Sequence, residues 1–314
     1  MDLRQLTTLV AIADHGTFSA AARALYTVQS NVSGHIARLE KELGVTLVDR
    51  QRGGLTDEGF AVVERARRIL HELDDITADM SSRGDHVTGE ARFGSIGTTA
   101  RWLLPQLLTQ MERLHPGVHI TVHEGNTTGL VPRVAGGLLD AAVVHLPIDE
   151  PDVSITPLFA EDLVLLVHTR HPLSGADTVH LPALARTPLL LPPTGTALRR
   201  IIDRAATSVD TTLVAQAEID GVRLLTSLAF EGYGAAIVPA TAIPRWLKGE
   251  FKRIAVPELP RRVVGWAQRK RPSPSAPTKA MFEVLREVVS RQGERQPGVH
   301  VGADAFPFGS QRPG

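Results

Sequence analysis

Residues 27–44, TVQSNVSGHIARLEKELG, combine an apolar stripe with a polar, uncharged start. The stripe recurs at spacings of four, three and four, which predicts a helix with one apolar face, and it consists of Val32, Ile36, Leu39 and Leu43. The helix opens with neutral hydrogen-bonding groups on Gln29, Ser30, Asn31 and Ser33. Neutral donors and acceptors match base edges, whereas charged groups would mainly bind phosphate. This helix start is therefore typical of a helix that reads bases in the major groove.

The elements around this helix predict a helix-turn-helix. One helix ends at His15-Gly16, Thr17 or Ser19 caps the next, and a turn at 26–28 leads into the polar helix. The second helix of such a motif enters the major groove by its N-terminal end. A hairpin at 47–56 follows as a wing with two arginines that would hold phosphate. The predicted DNA-binding residues are Thr17, Ser19, Gln29, Ser30, Asn31, Ser33, His35, Arg38, Arg50 and Arg52.

A long helix over 57–82 is predicted next, with Thr56 as its N-cap and Asp57 and Glu58 in its first turn. Its apolar residues follow heptad spacing and form a narrow seam, while the opposite face is charged. The seam either packs on the chain's own domain or pairs with a second copy, and we favour self-association. The predicted dimerisation seam consists of Val62, Ala66, Ile69, Leu73, Ile76 and Met80.

From residue 90 onwards the pattern changes, after a linker at 81–89. Strands are predicted at 91–97, 118–124, 140–146, 163–168, 188–193, 211–216, 235–239 and 262–268. Helices are predicted at 98–114, 127–138 and 277–291, and from residues 196 and 221. Strands that alternate with helices indicate an α/β domain with a parallel sheet. Residues 293–314 have five glycines, three prolines and no periodicity, which predicts a disordered tail.

Three loops in this half, 95–99, 125–128 and 193–196, each follow a predicted strand and precede a predicted helix. Ligands of such sheets bind at the carboxyl ends of strands, close to helix N-termini. Backbone amides, hydroxyls and the helix dipole together favour an anion or a carboxylate. For any single threonine, plain helix capping is the alternative. The predicted effector-binding residues are Ser95, Gly97, Thr98, Thr99, Asn126, Thr127, Thr128, Thr194, Gly195 and Thr196.

Composition excludes several classes of protein. The 314 residues contain no cysteine, which excludes disulfides and thiolate sites, and Lys+Arg equals Asp+Glu at 34 each. No signal peptide and no apolar run of membrane-spanning length is found, so we expect a cytoplasmic protein without membrane contact. His115, His119 and His123 have the spacing of a helical zinc site, but Pro116-Gly117 breaks any helix there. No metal and no other cofactor is predicted.

The motifs TFSAAARAL, VQSNVSGHIARLEKELGVTLVDR and LTDEG resemble the winged helix-turn-helix of LysR-type transcriptional regulators. The resemblance continues through GEARFGSIGTTARWLLPQLL, HPGVHITVHEGNT, GLLDAAVVH and EGYGAAIVP, and covers about residues 1–291. Three departures stand out: Gly34 where the family commonly has a long polar residue, Val28 where Ser or Thr is common, and a wing about two residues shorter. The second departure suggests that the helix cap falls on Thr27.

The resemblance implies an N-terminal all-α winged helix-turn-helix with a long linker helix. It also implies a C-terminal α/β effector domain of two Rossmann-like subdomains, like type 2 periplasmic-binding proteins, and matches Thr98 and Thr127 to family effector positions. The expected domains are 1–58 for DNA binding, 59–88 for the linker helix and hinge, 89–162 with 264–292 and 163–263 for the two subdomains, and a tail at 293–314.

We therefore predict an effector-responsive regulator that is not an enzyme. Its expected partners are double-stranded promoter DNA, a small and anionic metabolite bound between the subdomains, and further copies of the chain in a dimer or tetramer. RNA polymerase is left open as a further partner. The alternative is an α/β enzyme or small-molecule-binding protein in which the N-terminal helices serve only assembly. The chain offers no acid–base pair or nucleophile motif for an enzyme, and that alternative gives the neutral helix start no role.

Overall fold

The computed structural model describes residues 1–49, 54–82 and 86–302. Nine α-helices occur in these ranges: α1 Leu3–His15, α2 Phe18–Ala24, α3 Gln29–Leu43, α4 Asp57–Ser81, α5 Gly97–Leu114, α6 Thr127–Ala135, α7 Ala197–Thr207, α8 Val222–Phe230 and α9 Ala276–Gly293. The thirteen strands described there are β1 Val48–Asp49, β2 Gly54–Leu55, β3 Thr88–Ile96, β4 Gly117–Gly125, β5 Ala141–His145, β6 Val153–Glu161, β7 Leu163–His168, β8 Leu189–Leu191, β9 Ala215–Glu218, β10 Ala235–Pro239, β11 Phe251–Ala255, β12 Arg262–Arg269 and β13 Val299–His300.

The N-terminal unit packs α1, α2, α3 and the start of α4 around one small core. On α3 the predicted stripe is confirmed for Val32, Ile36 and Leu39, which are fully buried. Leu43 is 38% exposed, because the helix runs past the core before it ends at Gly44. The N-cap of α3 is Val28 rather than Thr27, whose hydroxyl instead accepts a hydrogen bond from Asn31 Nδ2 at 3.0 Å.

Helix α4 begins as predicted and then leaves the N-terminal unit. Thr56 caps it, with Oγ1 accepting from the Gly59 amide at 2.9 Å. Four members of the predicted seam are exposed on its surface: Ile69, Leu73, Ile76 and Met80. The prediction is wrong for Ala66, which is fully buried within the chain and offers no surface to a partner. Val62 is half-buried against the N-terminal core.

Two sheets build the C-terminal half. The first has the strand order β13-β6-β12-β5-β3-β4, and the second has the order β11-β7-β10-β8-β9. Parallel pairs lie where strands alternate with helices, at β4-β3-β5 and β10-β8-β9. Strands β6, β12 and β13 run antiparallel in the first sheet, and β7 and β11 do so in the second. Both sheets therefore contain parallel and antiparallel pairs, whereas the sequence pattern predicted a parallel sheet.

The chain passes between the sheets twice, from β6 to β7 and from β11 to β12. Helices α5, α6 and α9 cover the first sheet, and its core includes Phe93 and Trp266, whose rings stack at 5.7 Å. The second sheet has its own apolar clusters beside α7 and α8. These crossings support the proposed division into 89–162 with 264–292 and 163–263. Among the described residues, every helix is too short or too polar to cross a lipid bilayer.

The prediction of a disordered tail from residue 293 is wrong up to residue 302. Strand β13 pairs antiparallel with β6, with Val299 opposite Glu161. Gln296 is 2% exposed, and its Nε2 donates to the carbonyl oxygens of Ala240 and Ile243. A buried amide, a short edge strand and the contacts of Gly298 and His300 with Asp162 hold this segment, and none of these produces a periodic pattern. Residues 303–314 lie outside the described residues.

Candidate DNA interface and effector cleft

The polar start of α3 is an exposed surface with an apolar backing. Gln29, Ser30 and Asn31 are exposed, while Ser33 is half-buried. Behind them, Val32 and Ile36 are fully buried in the N-terminal core. The arrangement leaves neutral hydrogen-bonding groups facing outward on a helix that is fixed from behind.

Helix α2 orients the first of these groups. Ser19 Oγ donates to Gln29 Oε1 at 2.8 Å, which ties the amide of Gln29 to the neighbouring helix. Thr17 caps α2, because its Oγ1 accepts from the Ala20 amide at 3.1 Å. A concave surface forms here, lined among others by Thr17, Ser19, Gln29, Ser33 and Asp49. Its polar edge carries four of the predicted DNA-binding residues.

Further along α3, Arg38 Nη2 lies 3.0 Å from His35 Nδ1. A guanidinium only donates, so His35 Nδ1 is the acceptor and carries no proton in this contact. The other ring nitrogen of His35 is then the N–H donor. Arg50 and Arg52, the predicted phosphate contacts of the wing, lie outside the described residues, and their role stays a prediction.

A cleft of about 600 Å³ separates the two sheets of the C-terminal half. Seven of the ten predicted effector residues line it: Gly97, Thr98, Asn126, Thr127, Thr128, Gly195 and Thr196. All three predicted loops therefore meet in one cavity, because each lies at the carboxyl end of a parallel strand. The residues come from both sheets, so a ligand here would contact both subdomains.

Three predicted effector residues do not line the cleft. Ser95 is 2% exposed and donates to the Ile96 carbonyl at 3.3 Å. Thr99 is 1% exposed, because its position follows Thr98 on α5 and turns into the core. Thr194 points outward and donates to Glu218 Oε1 at 3.0 Å. The prediction of effector contact is wrong for these three side chains.

Helix capping, the alternative stated for each threonine, holds for Thr196 and fails for Thr127 and Thr98. Asn126 caps α6, and the hydroxyl of Thr196 caps α7. Thr127 is no cap, because its Oγ1 accepts from the His145 amide on β5 at 3.2 Å. The Oγ1 of Thr98 lies 3.3 Å from Arg262 Nη2, so it faces a buried guanidinium. These two hydroxyls lie inside the cleft beside polar groups from other strands.

The cleft contains a buried arginine that the sequence did not indicate. Arg262, at the start of β12, is 5% exposed and lines the cleft. Its Nε donates to Glu161 Oε1 at 2.9 Å, and the other oxygen of Glu161 accepts from the amide and hydroxyl of Thr241. Arg262 thus joins the crossing between the sheets to Thr98. Arg262 reaches the cleft because β12 returns to the first sheet beside β6, and no local sequence motif predicts this pairing.

A neutral histidine, His145, also lines the cleft. His145 ends β5 and is 9% exposed, and burial together with the nearby charge of Arg262 lowers its pKa to about 4. The imidazole is therefore uncharged near neutral pH, and its buried Nδ1 has no hydrogen-bond partner among the described residues. A histidine that ends an otherwise apolar strand at the ligand edge of a sheet was the available sequence signal.

An ion pair spans the opening of the cleft. Arg223, on the first turn of α8, donates to Glu124 Oε1 on β4 at 2.7 Å, and both side chains are about half exposed. Glu124 also lies against Gly97, where an added Cβ would come within 2.7 Å of its Oε1. The N-termini of α5, α6, α7 and α8 all line the same cleft. Four positive helix ends surround a space whose lining also includes two carboxylates, those of Glu124 and Asp220.

Comparisons with known proteins match most of the chain. The model of the bacterial regulatory helix-turn-helix protein, lysR family, covers residues 3–60, and the LysR substrate binding domain covers residues 84–290. A probable hydrogen peroxide-inducible genes activator of Mycobacterium leprae is 31% identical over 294 residues, which span 91% of this chain and 94% of that protein. A full-length OxyR cysteine-to-aspartate variant from Pseudomonas aeruginosa has a TM-score of 0.70 at 26% identity, covering 92% of this chain and 97% of that one. CbnR complexed with its target DNA has a TM-score of 0.69 at 26% identity, covering 93% and 99%.

Proposed function

Because the chain belongs to the LysR family of transcriptional regulators, we propose that its effector is a small carboxylate held in the cleft between the two sheets. The family and fold class predicted from the sequence are confirmed. The protein is a DNA-binding transcriptional regulator with an effector-binding domain, and not an enzyme. LysR regulators bind promoter DNA and small-molecule effectors and form oligomers.

The observation that carries the carboxylate proposal is the convergence of four helix N-termini on one cavity. Each helix end presents unsatisfied amides and a partial positive charge. Arg262 adds a formal positive charge whose partner, Glu161, lies on the side of the sheet crossing. The imidazole of His145 would offer the ligand a hydrogen bond, and because it is uncharged it adds no further positive charge to the cleft. This combination favours one negative group and a polar, uncharged remainder.

Thr98 and Thr127 would bind the effector through their hydroxyls. A panel of small carboxylates is screened by thermal shift against the wild type and the double variant Thr98→Val/Thr127→Val. We expect hits to stabilise the wild type and to lose most of that shift in the double variant. Thr194→Val serves as the matched control, because its hydroxyl lies outside the cleft. Equal stabilisation of all three proteins contradicts the cleft assignment.

The Glu124–Arg223 pair would act as an internal competitor. Its carboxylate lies beside Gly97 at the start of α5 and occupies the guanidinium on α8, so an incoming carboxylate takes its place. Exposed ion pairs contribute roughly 0–1 kcal/mol, so the competition is weak enough for a ligand to reverse. We expect Glu124→Gln to bind the hits of the screen about two- to fivefold more tightly, measured by calorimetry. Weaker binding by Glu124→Gln would show that Glu124 contacts the effector directly.

The start of α3 would read the operator. Gln29 and Asn31 suit adenine, Ser30 and Ser33 suit several bases, and Ser19 orients Gln29. Thr17, His35 and Arg38 flank these residues on the same surface and would contact the backbone or neighbouring bases. The exposed position of the α3 start supports this proposal, and a gel-shift assay of variants tests it.

Self-association would use the exposed apolar residues of α4. Ile69, Leu73, Ile76 and Met80 are 38–70% exposed along the helix between the two halves of the chain. Isolated surface residues of this kind are ordinary, but four at heptad spacing on one helix form a continuous strip. A second copy of α4 covers such a strip, and two N-terminal units would then bind two half-sites.

Peroxide is excluded as a thiol-based signal for this protein. Its relatives include activators named for hydrogen peroxide, and the Pseudomonas aeruginosa structure replaces a cysteine by aspartate. This chain contains no cysteine in its 314 residues, so it has no thiol to oxidise. The effector therefore has to be a ligand that binds without thiol chemistry. A DNA target supports a cytoplasmic location.

A further inference from the structure

The linker helix α4 is joined to the effector half by a buried cluster. His71 is 1% exposed, and its Nε2 hydrogen-bonds to Asp140 Oδ1 and lies 3.6 Å from Asp75 Oδ2. Nδ1 of His71 has no partner among the described residues, so the ring directs all its polar contacts to the two aspartates. His71 and Asp75 lie one turn apart on α4, whereas Asp140 precedes β5. The cluster therefore spans two units of the chain.

The charges around this cluster favour the uptake of a proton when the helix docks. Asp140 and Asp75 are two carboxylates in a site that admits little water, and burying both in the ionised form is costly. Asp140 also accepts from the Arg92 amide at 2.6 Å, which fixes it in place. The charged groups that surround the cluster are Glu72 on α4, Glu90 and Arg92 on β3, and Arg269 on β12, in addition to Asp75 and Asp140 themselves.

The pKa values of His71 and Asp75, the two members of the cluster on α4, are shifted in the same direction. Burial raises the pKa of Asp75 to about 6, and the charge of Asp140 adds to this effect. Burial opposes a charged imidazole, but the hydrogen bond and charge of Asp140 outweigh it and raise the pKa of His71 above its ordinary value. Both pKa values are higher in the docked state than in a detached helix. The contact is therefore strengthened as the pH falls and weakened as the pH rises.

We propose that His71, Asp75 and Asp140 form a proton-dependent clasp that couples the linker helix to the effector half. Its place in the fold gives the clasp a regulatory consequence, and this consequence alone rests on the proposed function. Strand β5 runs from the residue after Asp140 to His145 in the effector cleft, and all five of its residues are buried. The clasp and the cleft lie at the two ends of one strand. A ligand that shifts β5 would therefore also move Asp140, to which His71 of α4 is hydrogen-bonded.

Amide hydrogen exchange of the full-length protein tests the clasp without effector or DNA. Exchange of residues 66–80 is followed from pH 5 to pH 8 and corrected for the intrinsic rate. The shift of Asp75 from 3.8 to about 6 predicts an opening equilibrium about tenfold smaller at pH 5 than at pH 8. Asp75→Asn should remove most of this change, and His71→Gln/Asp75→Asn should reduce it to less than about twofold.

His180→Gln is the matched control, because His180 forms a 2.6 Å contact with Glu258 that is exposed and lies within the second subdomain. It should keep the wild-type profile. A flat wild-type profile, or an unchanged profile in Asp75→Asn, overturns the proposal. So does a profile that disappears when EDTA is added, because a metal ion would then occupy the cluster. If the double variant does not fold, the wild type and Asp75→Asn still decide. Failure of the effector proposal affects none of these outcomes.

Discussion

Two helical glycines in the DNA-binding unit have opposite surroundings and predict opposite effects of alanine. At Gly59, in the first turn of α4, an added Cβ would lie 2.1 Å from the carbonyl oxygen of Leu47. The same oxygen accepts a hydrogen bond from the Thr56 amide at 3.0 Å, so it belongs to the helix cap. Neither backbone can yield locally, and the helix has to move away from β1. At Gly34, within α3, no heavy atom lies within 4 Å of an added Cβ.

The expected magnitudes follow from these contacts. Gly59→Ala forces overpacking against backbone and should lower the free energy of unfolding of this unit by roughly 1–3 kcal/mol. Gly34→Ala adds no clash and replaces a flexible residue in a helix, which should raise the same free energy by roughly 0.5–1 kcal/mol. Each variant adds one methyl group to the wild-type protein, so the chemical change is the same at both positions.

Hydrogen exchange is the suitable assay for this pair. The three tryptophans, Trp102, Trp246 and Trp266, all lie in the effector half, so their fluorescence does not report on the N-terminal unit. The slowest amides of α3 should exchange about 5- to 150-fold faster in Gly59→Ala and about two- to fivefold more slowly in Gly34→Ala. Unchanged or slower exchange in Gly59→Ala would refute the packing argument, and so would equal effects of the two variants.

Three further predictions address the linker and the cleft. Leu73→Asp places a charge in the exposed strip of α4, and sedimentation should show weaker self-association, with no change if the strip is unused. His145→Gln should remove about 2 kcal/mol of the stability loss between pH 7 and 5, because the pKa of His145 is lowered to about 4 and folding excludes its proton below pH 6.5. Chemical unfolding at both pH values measures this, and equal losses in both proteins would contradict it. Gly97→Ala should displace Glu124 from Arg223 and reproduce the tighter carboxylate binding expected of Glu124→Gln, whereas weaker binding would place the effector against Gly97 itself.

Local pattern was sufficient to predict which side of α3 is buried and which neutral residues face outward. The spacing of Val32, Ile36 and Leu39 identified the buried side of α3, and the neutral residues opposite followed from it. The prediction failed at Leu43, because periodicity does not reveal where the core ends along a helix. It failed at Ala66 for a related reason, since a small residue at heptad spacing fits both a seam and the chain's own core.

The cleft was predictable in outline and not in its charges. The loops with Thr98, Thr127 and Thr196 were found because each joins a strand to a helix, which is a local signal. Arg262 and Arg223 reach the cleft only through the order of strands in the two sheets, which no short stretch of sequence contains. Strands β6 and β11 were missed because their buried and exposed residues do not alternate regularly along the strand.

The most direct test of the central claim is the discrimination between DNA sequences by Gln29→Ala. Binding to DNA upstream of the protein's own gene is compared with binding to a shuffled sequence at one moderate salt concentration. Lys41→Ala, at the far end of the same helix, is the control. The account predicts that Gln29→Ala loses roughly 1–3 kcal/mol of discrimination, mainly by weaker binding to the upstream DNA, while Lys41→Ala retains it. Equal weakening on both DNAs, or no change at all, would contradict the claim that the start of α3 reads bases.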